Sequence, residues 1–215
     1  MALRIDIVSD VVCPWCAVGY KQLEQALKET GHEVEIYWHP FELNPQMEPA
    51  GEELRDHLAR KYGSTKEQSD EARARLTEAG DALGFTFAFN EDSRIFNTFQ
   101  AHQLLHWAGE TGKAHDLKLA LLKAYFTDGK DVSDVDVLVA EASAVGLDAN
   151  EARAVLADGR FAEIVRTQEG FWTSRGISGV PSMIFDNKHL VTGAQGTENY
   201  VKILNHVISA PAEAS

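Results

Sequence analysis

Cys13-Pro14-Trp15-Cys16 holds both cysteines of this 215-residue chain. On a helix, two thiols three positions apart lie about one turn from each other and on one face, so they can cycle between dithiol and disulfide. A bridge between such close neighbours constrains the unfolded chain very little, which makes the pair a reactive device rather than a staple. The chemistry it suits is thiol–disulfide exchange. Pro14 fits the first helical position, where its missing N–H costs nothing. Cys13 then stands at the helix N-terminus, where unpaired amides and the positive end of the dipole stabilise a thiolate. This makes Cys13 the attacking nucleophile. Cys16, one turn deeper and less exposed, is the resolving thiol. Pro14 and Trp15 lie between the sulfurs and tune them, and Trp15 offers apolar surface to a substrate.

A zinc site is the competing use of two cysteines. Zinc takes about four ligands, and only the distant His102-x-x-x-His106 pair could complete a set, so no metal is expected. A second signal is Gly179-Val180-Pro181-Ser182. Proline is allowed at the first position of a strand, and a cis bond there is possible but uncommon.

The elements that must position these residues are legible from periodicity. Residues 3–8 alternate and then run apolar, as a strand does, and Pro14–Glu29 has a helical pattern that stops at Gly31. Glu33–Trp38 alternates strictly and is a second strand. This β-α-β opening favours parallel pairing. Pro40, Pro45 and Pro49 then break the chain. Helices are expected over about Glu52–Tyr62, Lys66–Leu83, Ser93–Thr111, Lys113–Phe126, Val135–Val145, Ala149–Ala157 and Ala162–Arg175. Ser64-x-x-Glu67 reads as a capping box for the second of these. After Pro181 the period returns to two, with a hairpin turning at Asp186-Asn187 and a last helix from Thr197 to about Ile208. The fold class is α/β: a four-stranded mixed sheet flanked by helices, interrupted by a helical block.

Composition narrows the setting. Hydrophobic residues make up 44% and charged residues 25%, ordinary values for a globular chain. No apolar run is long enough to span a membrane. The N-terminus has no basic segment followed by a long apolar one, so a cytoplasmic location is expected. A formal charge of −13 argues against nucleic acid and anionic membranes as partners.

The Cys-Pro-Trp-Cys motif after a first strand, the helical insertion, and Gly179-Val180-Pro181 before a hairpin together resemble the DsbA family of the thioredoxin superfamily, and more closely its FrnE-like dithiol–disulfide isomerase branch. Trp38-His39-Pro40-Phe41-Glu42-Leu43-Asn44-Pro45, Asn97-Thr98-Phe99-Gln100-Ala101-His102, Ala124-Tyr125-Phe126 and Gly193-Ala194-Gln195 carry the same resemblance. It implies a thioredoxin-like domain in two parts, residues 1–45 and 176–209, with a helical insertion at 46–175; residues 210–215, which lack periodicity, are expected to be a disordered tail. It also implies that Pro181 is cis and faces the cysteines, and that Val180 offers backbone groups to an extended substrate. Asn97 and His102 match a motif of related glutathione-dependent isomerases and kappa-class transferases. His39 either lies near the sulfurs or ends a strand. These three are candidate groove residues. The expected activity is disulfide exchange with a protein or small molecule carrying a thiol or disulfide, by a monomer or homodimer. No bound cofactor is expected beyond the Cys13–Cys16 disulfide, with glutathione as a candidate co-substrate. The alternatives are a glutathione-dependent isomerase or transferase and a chaperone-like peptide-binding module.

Overall fold

The computed structural model describes residues 2–209. The tail expected at 210–215 lies outside them. Strand β1 (Leu3–Ser9), helix α1 (Pro14–Thr30) and strand β2 (Val34–Pro40) form the opening unit. Strands β5 (Ser182–Phe185) and β6 (His189–Thr192) and helix α9 (Thr197–Ser209) form the closing one. They share one sheet in the order β2-β1-β5-β6. β2 runs parallel to β1, with Ile5 opposite Ile36 and Ile7 opposite Trp38. β5 is antiparallel to β1, with Val8 opposite Ser182, and β6 is antiparallel to β5. Asp186 and Asn187 both have positive φ, 51° and 56°, as the tight turn closed by the Lys188 N–H on the Phe185 carbonyl requires.

Between the two halves lie α2 (Leu54–Tyr62), α3 (Lys66–Ala82), α4 (Phe99–Glu110), α5 (Ala114–Phe126), α6 (Val135–Ala144), α7 (Ala149–Asp158) and α8 (Ala162–Ser174). Three expectations are corrected here. Glu52–Glu53 (β3) and Arg94–Ile95 (β4) pair as a two-stranded ladder, where helix had been read from 52 and from 93. α4 therefore starts at Phe99, and Asn97 Oδ1 accepts its N–H at 2.9 Å. The capping box sits one residue later, on Thr65 and Gln68. Ser64 is still engaged in the exit from α2, its N–H bonding the Leu58 carbonyl.

Three apolar clusters build the core, and two of them flank the cysteine loop. Ile5 and Ile7 join Tyr20, Leu23, Met183, Phe185 and Leu204 between the sheet and helices α1 and α9. Val11 and Val12, just before Cys13, instead enter the core of the helical block beside Leu104, Leu117 and Leu121. Ala17 and Val18, just after Cys16, pack with Leu76, Phe87, Leu122 and Phe126. Burying a valine side chain is worth roughly 1.5–3 kcal/mol. The segment around Cys13 is therefore held from both sides by cores belonging to different parts of the chain.

Packing at the end of α3 is tight enough to test. A Cβ on Gly80 would lie 2.3 Å from the Phe85 carbonyl oxygen and 2.6 Å from the Phe87 ring. A Cβ on Gly170 of α8 would meet nothing within 4 Å. Gly80→Ala is expected to destabilise by ~1–3 kcal/mol through overpacking. Gly170→Ala is expected to be neutral or to stabilise by up to ~1 kcal/mol through helix propensity. Urea midpoints at unchanged m-value would measure both.

Candidate active site

Cys13 is the residue before the first helical position of α1, with extended backbone at φ −90° and ψ 111°. Its carbonyl accepts the N–H groups of Cys16 at 3.0 Å and Ala17 at 3.4 Å, and Pro14 follows where no amide proton is needed. Both thiols are free and both are buried. Cys13 is 4% exposed and Cys16 only 1%, so the sequence-based contrast between an open and a hidden sulfur is slight. Trp15, at 47%, is the exposed member of the motif.

Cys13 is covered by the loop entering β5. Its Sγ lies 3.6 Å from the Val180 carbonyl oxygen, and the Val180–Pro181 peptide bond is cis. That loop is fixed by local bonds. The Gly193 N–H donates to the Pro181 carbonyl at 2.7 Å, and the Ser182 hydroxyl donates to the Gly179 carbonyl at 2.8 Å. The Pro181 ring seats against α1 opposite Gly19, where a Cβ would stand 3.1 Å from its Cγ. Glycine at 19 thus sets how closely the proline wall approaches the thiol helix. A surface cavity of about 320 Å³ borders the same loop and is lined by Gly179, Val180, Pro181 and Thr192 among others.

Behind the sulfurs lies a set of buried charges. Asp10 is fully buried. Its carboxylate accepts the N–H of Val11 at 2.7 Å and of Leu43 at 2.8 Å. His102 Nε2 lies 3.3 Å from Asp10 Oδ1 and 3.1 Å from the Phe41 carbonyl. Both neighbours are acceptors, so that nitrogen carries a proton. Burial alone would push the Asp10 carboxyl up. His102, the Leu43 amide and Lys118 more than reverse this and hold it below the usual carboxylate range. Burial pushes the Cys16 thiol well up, as does its hydrogen bond with Cys13, while Lys118 and the Asp10 amide oppose the rise. Lys118 is itself 1% exposed, and burial lowers its ammonium from the ordinary range.

Cys13, Cys16, Val180 and Pro181 therefore come together, with Pro14 at the helix start and Trp15 at the rim. His102 stands one side chain back, on Asp10. Asn97 fastens the loop before α4, taking the Phe99 N–H and donating to the Met47 carbonyl. His39 lies 2.7 Å from Asp6 Oδ1 and packs on the Trp172 ring at 4.7 Å between centroids. Among the described residues no group of three or more His, Cys, Asp or Glu side chains is placed to hold a metal ion. Asp10 and Lys118 were missed by sequence reading. The available signal was faint: Lys118 shares a helical face with Leu122 and Tyr125, where a solvated lysine would be out of place.

A family model described as a DSBA-like thioredoxin domain matches residues 4–205. The chain belongs to this family. A probable DsbA oxidoreductase of Streptomyces coelicolor superposes with a TM-score of 0.91 at 34% identity, over 99% of this chain and 93% of that one. An uncharacterized protein of Bacillus subtilis (strain 168), YwbO, is 28% identical over 95% of this chain and 97% of its own. The cytosolic disulfide reductase DsbM of Pseudomonas aeruginosa, solved with GSH, shares the fold at 17% identity and a TM-score of 0.66, over 97% of this chain and 100% of that one. The DsbA-like frame places Asp10 at the end of β1 and Lys118 in the helical block, so their attraction spans the two parts of the fold.

Two measurements probe this set of charges. Asp10→Asn is expected to cost on the order of 3 kcal/mol, because it leaves Lys118 buried without a counter-charge. In the Asp10→Asn/Lys118→Met double variant the loss should fall short of the sum of the single losses by ~1 kcal/mol or more. Asp6 supplies the pH test. Burial raises its carboxyl, but bonds from Arg4 and His39 outweigh this and bring it down to about 2. The stability so gained is complete above the unfolded value of about 4 and is lost as pH falls through the folded one. Asp6→Asn should flatten the urea-stability profile between those limits.

Proposed function

We propose that this DsbA-like thiol–disulfide oxidoreductase works through Cys13 as nucleophile and Cys16 as resolving thiol, with the Val180–Pro181 loop as the substrate-side wall. The observation that carries this is the position of Cys13. It stands at a helix N-terminus facing the Val180 carbonyl, with the second thiol one turn behind. The Cys13 thiolate attacks one sulfur of a substrate disulfide. The S–S bond breaks, a Cys13–substrate bond forms, and the other substrate sulfur leaves as a thiolate. Cys16 then loses its proton and attacks Cys13 Sγ, closing the Cys13–Cys16 disulfide and expelling the remaining substrate thiolate. The substrate disulfide gains two electrons and the cysteine pair loses two. The same steps in reverse oxidise a dithiol.

The surroundings of Cys16 order these steps. Beyond burial, its thiol is held protonated by its hydrogen bond to Cys13 and by charge on that sulfur. Once Cys13 is bonded to substrate, its sulfur carries no charge, and both influences vanish. Lys118 remains and favours the Cys16 thiolate. Cys16 is thus released for attack only after the mixed disulfide exists.

An extended peptide would lie along the Val180–Pro181 loop, where the Val180 carbonyl offers an acceptor and Trp15 an apolar face. Glutathione disulfide is a second proposed partner, supported by the glutathione-bound DsbM that shares the fold. That relative's cytosolic setting supports a cytoplasmic role for this chain. Retention of both thiols favours exchange over the transferase reading, which needs one sulfur-binding position and no resolving thiol.

Incubation of Cys16→Ser with insulin or glutathione disulfide is expected to trap a covalent adduct on Cys13, visible by intact mass. Cys13→Ser should form none and reduce insulin only at the background rate. Absence of an adduct, together with no reduction of either disulfide by the parent protein, would overturn the proposal.

A further inference from the structure

A second cavity, of about 460 Å³, opens at the edge strand β2 between α4 and the start of α5. Cys13, Cys16, Trp15, Val180 and Pro181 take no part in its lining. Lys118 does. Among the described residues its Nζ has no carboxylate or carbonyl within hydrogen-bond reach; Asp10, Cys16 and Cys13 act on it only through space. The ammonium lies instead 5.3 Å from the centre of the Trp38 ring, which also lines the cavity. A buried ammonium normally has its donors engaged, and these are left for something that enters.

The adjoining helix end offers the same sign of charge. Ala114 and His115, the first two residues of α5, line the cavity one turn before Lys118. The residue preceding them, Lys113, makes no side-chain capping bond, and Asp116, the one acid of that first turn, is exposed and paired with the Lys113 ammonium at 2.9 Å, so the first-turn amides keep no side-chain cap there. His115 adds no charge of its own. Its Nδ1 accepts from Trp38 Nε1 at 3.1 Å, its Nε2 lies 3.0 Å from the Tyr20 hydroxyl, and burial pushes its protonation down. His39 is held by Asp6 and His106 packs on Phe161. Glu110 is exposed at the rim. Ile36, Trp38 and Leu105 give it an apolar side, while Tyr37, Gln168 and His102, the last bonded to Asp10, add polar groups.

We propose that this cavity binds a small organic carboxylate, its charge between Lys118 and the start of α5 and its apolar body against Trp38 and Leu105. One ammonium and a partial dipole charge match a monoanion, while a phosphate dianion would keep charge uncompensated beside Asp10.

Hexanoate, with hexanamide and inorganic phosphate as controls, tests this by titration calorimetry on the full chain. Gly109 of α4 faces Ala114, and a Cβ there would stand 3.9 Å from the Ala114 Cβ, so Gly109→Leu would fill the cavity with Lys118 intact. Hexanoate is expected to bind the parent protein, and phosphate not to bind. Affinity should fall ~10-fold or more, about 1.4 kcal/mol, for hexanamide and for Lys118→Met. Gly109→Leu should abolish binding while keeping the parent's urea midpoint and m-value. No heat with hexanoate, equal affinity for hexanamide or phosphate, or undiminished binding by a folded Gly109→Leu would each overturn the proposal.

Discussion

A buried carboxylate must be surrounded by donors, and Asp10 meets that requirement with donors from three separate segments and a through-space ammonium from a fourth. Removing an ion from water costs several kcal/mol even after the protein relaxes. Here the Val11 and Leu43 amides, the His102 imidazole and the Lys118 ammonium offset that cost. Those groups lie on the loop before α1, the loop after β2, helix α4 and helix α5. None of them can drift without leaving a charge stranded. The interaction therefore fixes where the helical block sits over the end of β1, and β1 carries Cys13 at its exit.

The apolar contacts reinforce the same geometry from another direction. Val11 and Val12 are committed to the helical core, while Ala17 and Val18 are committed to the aromatic cluster around Phe87 and Phe126. The four residues of the motif bridge two cores that could otherwise slide. Gly19 then admits Pro181 to within contact of α1. The result is a thiol whose closest polar neighbour outside its own helix is the Val180 carbonyl. Position here comes from packing on both flanks, with the hydrogen bonds selecting one register of that packing.

What was legible in the sequence was local. Cys13-Pro14-Trp15-Cys16 announces its helix through proline at the first position, and the alternation in β1 and β2 follows from one residue in and one out. The β3–β4 ladder was hidden because each strand has only two residues and the partners lie about forty positions apart, as Glu52 does from Ile95. The capping box was misplaced by one residue because Ser64–Glu67 and Thr65–Gln68 satisfy the same pattern. Only the three-dimensional exit from α2, which occupies the Ser64 amide, separates them. Asp10 and Lys118 were invisible for the same reason on a larger scale. A charged side chain looks solvated in a sequence unless the partner that permits its burial is known, and here the partners are 108 positions apart.

Charge counting around the sulfurs shows how two nearly buried thiols could act in the proposed order. Lys118 brings one positive charge and Asp10 one negative, so the pocket behind the pair is close to neutral with both cysteines protonated. One thiolate makes it net negative, and a second would add like charge at a hydrogen-bonded neighbour in a region of low dielectric. Charge on Cys13 therefore adds to burial in pushing the Cys16 thiol up. Bonding Cys13 to a substrate sulfur removes that charge and restores the neutral count, which lets the second thiolate form on Cys16 beside the ammonium. In the proposed mechanism, the order of attack and resolution follows from charges already present in the resting fold.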